Sequence, residues 1–326
     1  AKNIAITKEI VYWWRVRQDS DLPSITQRNM ELRNTLDRIS ALEDNMIWLE
    51  SSKDATSKII IMNKIKSLLD VLRMHVNQYA VVKESDKKIW EQKILKFVND
   101  IQPFDIGLLP EKERIAYSLL LKKDFHRLYN LSKVILNMEK EPIVSQDENG
   151  FQLVSDKGGL DITPYIKPKA FLYNIEKKFN KVIFTGETIV PKCSKPIDCK
   201  VVFKSRNDHS VQYEDCVKLT RLNDNGIYTH ENLKFEFILD KKSILNIKLE
   251  SKGDIYLYFK NPLNTLVRIK TSDKNLFKKF NCRISLRKNI KVYETFYGNA
   301  IIKLESFTMK RIISHLIKGN LLKRKS

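Results

Sequence analysis

The residues best suited to chemistry lie near the start of the chain. Tyr12-Trp13-Trp14-Arg15-Val16-Arg17 ends an aromatic run on two arginines, and the loop beyond offers the hydroxyls of Ser24 and Thr26. Guanidinium groups present fixed, paired donors and hydroxyls add short hydrogen bonds, a set that suits a diphosphate. Arginines at an ordinary strand end would read the same way. Asp19-Ser20-Asp21 places two carboxylates two residues apart, a spacing that can hold a divalent cation on a nucleotide. Such a pair has to follow a nucleotide-binding sheet, and only one candidate strand precedes this one. Glu43-Asp44 resembles an acid pair for base catalysis, but it falls in a helical pattern and reads as a solvated helix face. The sequence shows no Gly-rich phosphate loop, no metal-ligand cluster and no nucleophile with a matching base. No catalytic residue is therefore assigned.

The elements that would position these groups follow from periodicity. Residues 4–17 read as a short β element. From Asn29 to Glu139 apolar residues recur at threes and fours: Leu32, Leu36, Ile39, Leu42, Met46 and Leu49, then Ile61, Ile65, Leu68, Leu72 and Val76. A third helix is expected over about 86–99. A fourth starts at Pro110-Glu111-Lys112-Glu113, with Pro at the first turn and acids at the positive dipole end. A last one spans roughly 123–138. At Glu141 the period changes to two. Asp147-Glu148-Asn149-Gly150 reads as a hairpin turn, and strands are expected at 170–175, 180–190, 199–205, 211–220, 232–239, 245–250, 254–259, 265–271, 282–287, 290–296 and 299–305. In 232–239 Leu233, Phe235, Phe237 and Leu239 share one face, and Ile255, Leu257 and Phe259 repeat the pattern. The fold class expected is α+β: an N-terminal helical region and a C-terminal antiparallel β-sandwich. The division expected is 1–30, 31–140 (helical linker), 141–306 (basic sandwich) and 307–326, a basic amphipathic helix with Met309, Ile312, Ile313 and Leu316 on one stripe.

Charge is distributed unevenly. The net formal charge is +20. Residues 1–150 hold 24 Lys and Arg against 22 Asp and Glu, whereas residues 251–326 hold 18 against 4. A polyanionic partner for the C-terminal part follows: a phosphate-rich polymer, an anionic membrane surface, or nucleic acid. Nucleic acid is disfavoured because no RRM, KH or helix-turn-helix signature is visible. Lys274, Lys278, Lys279, Arg283, Arg287, Lys288 and Lys291 are the candidate polymer contacts, by charge and counterion release. Tyr256, Tyr258, Tyr293 and Tyr297 could stack on sugar, although packing at a core or edge explains them better. The four cysteines (193, 199, 216 and 282) fit no zinc spacing and read as reduced thiols. No apolar run is long enough to span a membrane. The chain begins at Ala1 with neither an initiator Met nor a signal peptide, as expected of an excised piece.

The run from Tyr12 to Gln27 resembles the end of the catalytic domain in family-2, GT-A-fold glycosyltransferases, where a "YxWRxR…SIT" element closes the donor site. The resemblance points to enzymes that build or decorate wall teichoic acid and related capsules, the TarS-like teichoic acid sugar transferases among them. It extends to Leu109–Leu120, which is similar to their helical linker, and to Tyr293–Ile301, similar to the last hairpin of their C-terminal sandwich. It implies that Arg17 reaches the donor diphosphate, with Arg15, Ser24 and Thr26 as weaker matches. It implies a UDP-sugar with Mg or Mn in a parent enzyme, no cofactor in this segment, and an immunoglobulin-like C-terminal domain. The partners implied are an anionic teichoic-acid-like polymer and further copies of the chain, a trimer by resemblance. The place implied is the cytoplasm, at the inner face of the membrane. Residues 1–30 would then be all that remains of the catalytic domain, and the segment alone should be inactive. Its expected role is to bind the polymer or assemble the enzyme. The alternatives are an oligomerisation module without polymer contact, or a linker ahead of a glycerophosphotransferase domain.

Overall fold

The structure is a computed structural model. It describes residues 30–306 apart from 103, 139, 141, 155–157, 223–225, 248–251, 273–279 and 284–287. The chain divides into two compact units, residues 1–142 and 143–326.

The first unit is helical: α1 (Leu32–Ser51), α2 (Ser57–Met74), α3 (Glu84–Ile101), α4 (Glu111–Leu121) and α5 (Phe125–Leu136), with a 3-10 segment at Val76–Val81. Their starts have local causes. The Thr56 hydroxyl accepts from the Ile59 amide at 3.3 Å ahead of α2. Asp124 accepts from the Arg127 amide at 3.1 Å ahead of α5. Pro110 caps α4, whose first turn carries Glu111 and Glu113. Asn137 adopts the left-handed conformation that ends α5. The apolar stripes meet in a core that includes Ile39, Leu68, Leu72, Trp90, Ile94, Phe97 and Leu120. Ionic ties run between helices at its margin. Arg38 grips Asp70 through two bonds of 2.6 and 3.0 Å. Glu43 takes the Lys93 ammonium at 2.8 Å, so this half of the acid pair joins α1 to α3. Asp44 is exposed.

The second unit opens with a small antiparallel sheet of β1 (Val144–Gln146), β2 (Phe151–Leu153) and β3 (Leu160–Asp161). The expected turn joins the first two strands: Asp147 Oδ1 accepts from the amides of Asn149 (2.8 Å) and Gly150 (2.9 Å). Eleven further strands follow. They are β4 (Lys169–Lys178), β5 (Lys181–Ile189), β6 (Cys199–Ser205), β7 (Val211–Cys216), β8 (Lys218–Arg221), β9 (Asn232–Asp240), β10 (Lys252–Phe259), β11 (Thr265–Thr271), β12 (Asn281–Arg283), β13 (Lys288–Glu294) and β14 (Ala300–Ser306). One group runs β4-β5-β9-β8 and the other β7-β6-β10-β14-β13-β12, and β11 links them. Phe184 stacks on Phe237 within the first group at 4.5 Å. Phe203 from β6 meets the same Phe237 edge-on at 6.3 Å, so side chains from both groups share a core.

Two expectations need correction. The sheet is mixed: Tyr256–Phe259 of β10 pair antiparallel with β11, but Ile269–Thr271 of β11 run parallel to β4. A strand that changes partner midway keeps its direction, so its second pairing is set by the direction of the strand it meets. A strand was also expected at 245–250, but Lys241–Asn246 form a helix, α6. Asp240 accepts from the Ser243 amide at 2.7 Å and nucleates the turn before the apolar residues can extend.

Candidate functional site

β10 builds the face of interest by simple alternation. Gly253, Ile255, Leu257 and Phe259 are buried on one side. Lys252, Asp254, Tyr256 and Tyr258 take the other. Register then lays neighbours beside them. Lys303 of β14 stands opposite Lys252, Lys204 of β6 opposite Asp254, and Arg268 of β11 opposite Tyr256. Lys291 of β13 stands opposite Lys303. Lys252, Lys303 and Lys291 therefore form one row across three adjacent strands, each step about 4.8 Å.

Like charges directly opposite one another repel. Part of this repulsion is offset by Glu305, which takes Lys303 at 2.8 Å and Lys291 at 2.9 Å. Those two ammonium groups hold its carboxyl down at about 2. One carboxylate against three cations leaves the row net positive. The Lys252 ammonium lies over the Tyr293 ring, 5.6 Å from its centroid.

A second cluster sits on the same face. Asp254 is buried; it accepts a hydrogen bond from Arg268 at 3.0 Å and forms an ion pair with Arg206 at 3.2 Å without a hydrogen bond. Arg268 also donates to the Tyr256 hydroxyl at 2.7 Å and lies over that ring at 5.3 Å. The Lys204 ammonium is 5.8 Å from the same ring centroid. One carboxylate thus orients the Arg268 guanidinium and pairs ionically with Arg206, with a third cation alongside. Across β6 and the residue after it, β10, β11, β14 and β13, these two clusters set six cations against two acids. The arrangement offers paired and single N–H donors with two aromatic rings between them, which is chemistry suited to anionic groups.

Of the residues singled out from sequence, Lys291 belongs to the row, half-buried and paired with Glu305. Arg283 lies in β12 opposite Asn289, and Lys288 begins β13 opposite Ser306. Lys274, Lys278, Lys279 and Arg287 lie outside the described residues, as do Arg15, Arg17, Ser24, Thr26, the Asp19–Asp21 pair and the 307–326 tail. Tyr256 and Tyr293 lie under cations, and the Tyr258 hydroxyl donates to Asn264 at 3.3 Å. Lys204, Arg206, Lys252, Asp254, Arg268 and Lys303 were not anticipated. A signal was present in the residues between Ile255, Leu257 and Phe259, since a strand with one apolar face has its other face spelled in the alternate positions.

Among the described residues no group of His, Cys, Asp or Glu could hold a metal ion. The four cysteines are free; burial pushes the Cys193 and Cys199 thiols up to about 12.

The fold and face define an α+β protein whose sheet unit presents a cationic, aromatic surface. In structure the chain is similar to residues 217–571 of S. aureus TarS, with a TM-score of 0.50 and 14% identity over 84% of this chain and 77% of that one. A second crystal structure of S. aureus TarS aligns with a TM-score of 0.45 at 13% identity, and the chain covers about half of it (49%). The likeness to the 217–571 segment establishes a shared fold. No protein-family model matches the sequence, and no curated protein matches it.

Proposed function

We propose that this chain is the non-catalytic C-terminal region of a teichoic acid or capsular polymer glycosyltransferase, and that its sheet unit holds the anionic polymer. The fold shared with the TarS segment supports the setting. The observation that carries the binding role is the Lys252–Lys303–Lys291 row. Three cations in cross-strand register weaken a sheet on its own, and an anionic chain laid along the strands' outer face would relieve the repulsion. Tyr256 and Tyr293 would lie beneath sugar or glycerol units. Arg283, Lys288, Lys274, Lys278, Lys279 and Arg287 are further candidate polymer contacts in this reading. The two strand groups sharing Phe203 and Phe237 support an immunoglobulin-like sandwich as the architecture. Arg17 and its neighbours would belong to the donor site of the whole enzyme.

Calorimetric titration of the chain with soluble polyglycerol phosphate, and with an uncharged polysaccharide of similar length, tests the proposal. Binding is expected to the first alone. Absence of binding to either at low salt would leave assembly, not polymer contact, as the role of the sheet unit.

A further inference from the structure

Among the described residues of the sheet unit, the turn between β13 and β14 carries an adjacent pair of highly exposed large apolar side chains. Phe296 is 97% exposed and Tyr297 80%, with ring centroids 5.5 Å apart at 87°. The backbone beneath them is fixed. Thr295 N donates to Asn299 O at 2.9 Å, and Gly298 N to Thr295 O at 2.9 Å. Asn299 N donates to the Thr295 hydroxyl at 3.0 Å. Thr271 N from the neighbouring strand donates to Gly298 O at 2.8 Å. Gly298 takes a φ of +76°, a conformation that suits the absence of a side chain. Seven register pairs of β13 and β14 support the turn.

We propose that this hairpin tip is a bilayer wedge, with Phe296 and Tyr297 entering the interface of an anionic membrane. Three observations favour lipid over other occupants. Phe296 has no polar atom to offer a sugar, and the edge-to-face rings make a ridge, not a flat stacking platform. The backbone groups flanking the two rings, at Thr295, Gly298 and Asn299, already bond to protein, which limits the polar groups that entry into a low-dielectric layer would leave unmet. The electrostatics match: the Lys270 backbone pairs with Asn299, which places a lysine beside the tip, and residues 251–326 carry 18 Lys and Arg against 4 Asp and Glu. Because the turn is already ordered, insertion loses little conformational entropy. No helix among the described residues is long and apolar enough to cross a membrane. The attachment proposed is therefore one of partial insertion plus charge.

The test uses the full chain and vesicles of equal parts phosphatidylglycerol and phosphatidylcholine. In co-sedimentation the Phe296→Ser, Tyr297→Ser double variant should lose at least about tenfold in partitioning, with an unchanged melting curve. Because that variant removes two rings at once, Phe296→Trp supplies a second reading. Bromine-labelled lipid should quench its emission beyond the quenching seen in the parent chain. Equal partitioning of parent and double variant, or no added quenching, overturns the wedge. So does a loss of polyglycerol phosphate binding in the double variant with vesicle binding intact, since the rings would then contact polymer. The polymer proposal is judged separately on the lysine row, so either can fail alone.

Discussion

Lys252 stands directly opposite Lys303 across the β10–β14 pair, on the face away from the buried Ile255 and Leu257. No carboxylate lies between them in the register, and Glu305 is engaged by Lys303 and Lys291. An opposite-charge cross-strand pair is favourable and a like-charge pair unfavourable, by roughly 0.2–1 kcal/mol. Lys252→Glu should therefore raise the stability of the sheet unit by about that amount while weakening polymer binding. Denaturant unfolding and a binding titration on the same variant would measure both. A loss of stability would mean that the Lys252 contact with Tyr293 matters more than the repulsion.

Asp254 predicts the opposite pattern. Its carboxylate is buried, while Arg206 and Arg268 are 38% and 37% exposed. Solvent screens the guanidiniums, so Asp254→Ala should cost about 1–3 kcal/mol and not the full penalty of a buried pair. Polymer affinity should hold or rise in this variant, because the face gains one net positive charge. Chemical unfolding beside the polymer titration separates these effects.

His75 should set the acid sensitivity of the helical unit. It is buried, with Nδ1 3.1 Å from the Thr35 hydroxyl, and burial together with the Arg38 charge lowers its pKa to about 4. The folded state therefore favours the neutral ring more than the unfolded state does. Its contribution is fully present above the unfolded value near 6.5 and is lost as pH falls toward 4. The loss is at most about 3 kcal/mol. Unfolding monitored by helical circular dichroism at pH 7 and pH 4.5 checks this. The drop should shrink in His75→Gln.

Gly186 of β5 allows close approach of the neighbouring strand and of an aromatic ring. A Cβ there would lie 2.3 Å from the Phe171 carbonyl oxygen and 2.3 Å from the Phe235 ring. The Phe171 backbone sits beside the irregularity at Leu172–Asn174, so strand and ring would both have to move. Gly186→Ala should destabilise the unit by about 1–3 kcal/mol. A shift in the unfolding midpoint at unchanged m-value would measure it.

Much of the architecture was legible because burial writes itself into period. Ile39 and Met46 in α1, and Leu233, Phe235, Phe237 and Leu239 in β9, are buried as their spacing required. The partner change within β11 was not legible, since a run such as Leu266-Val267-Arg268-Ile269 reads the same in one sheet or two. Nor was α6, where a cap of one residue outweighs an apolar pattern. The lysine row was hidden for a further reason. Lys252, Lys291 and Lys303 are far apart in sequence, and only strand register makes them neighbours. Of the basic residues singled out from sequence, Lys291 is the one that stands in this row.

The salt dependence of polyglycerol phosphate binding tests the central claim most directly. For the parent chain, log affinity should fall linearly with log salt concentration. In the Lys252→Ala, Lys291→Ala, Lys303→Ala variant the slope should be shallower by about two to three units, with affinity reduced at low salt. An unchanged slope and affinity in that variant would contradict the assignment of the polymer to this face.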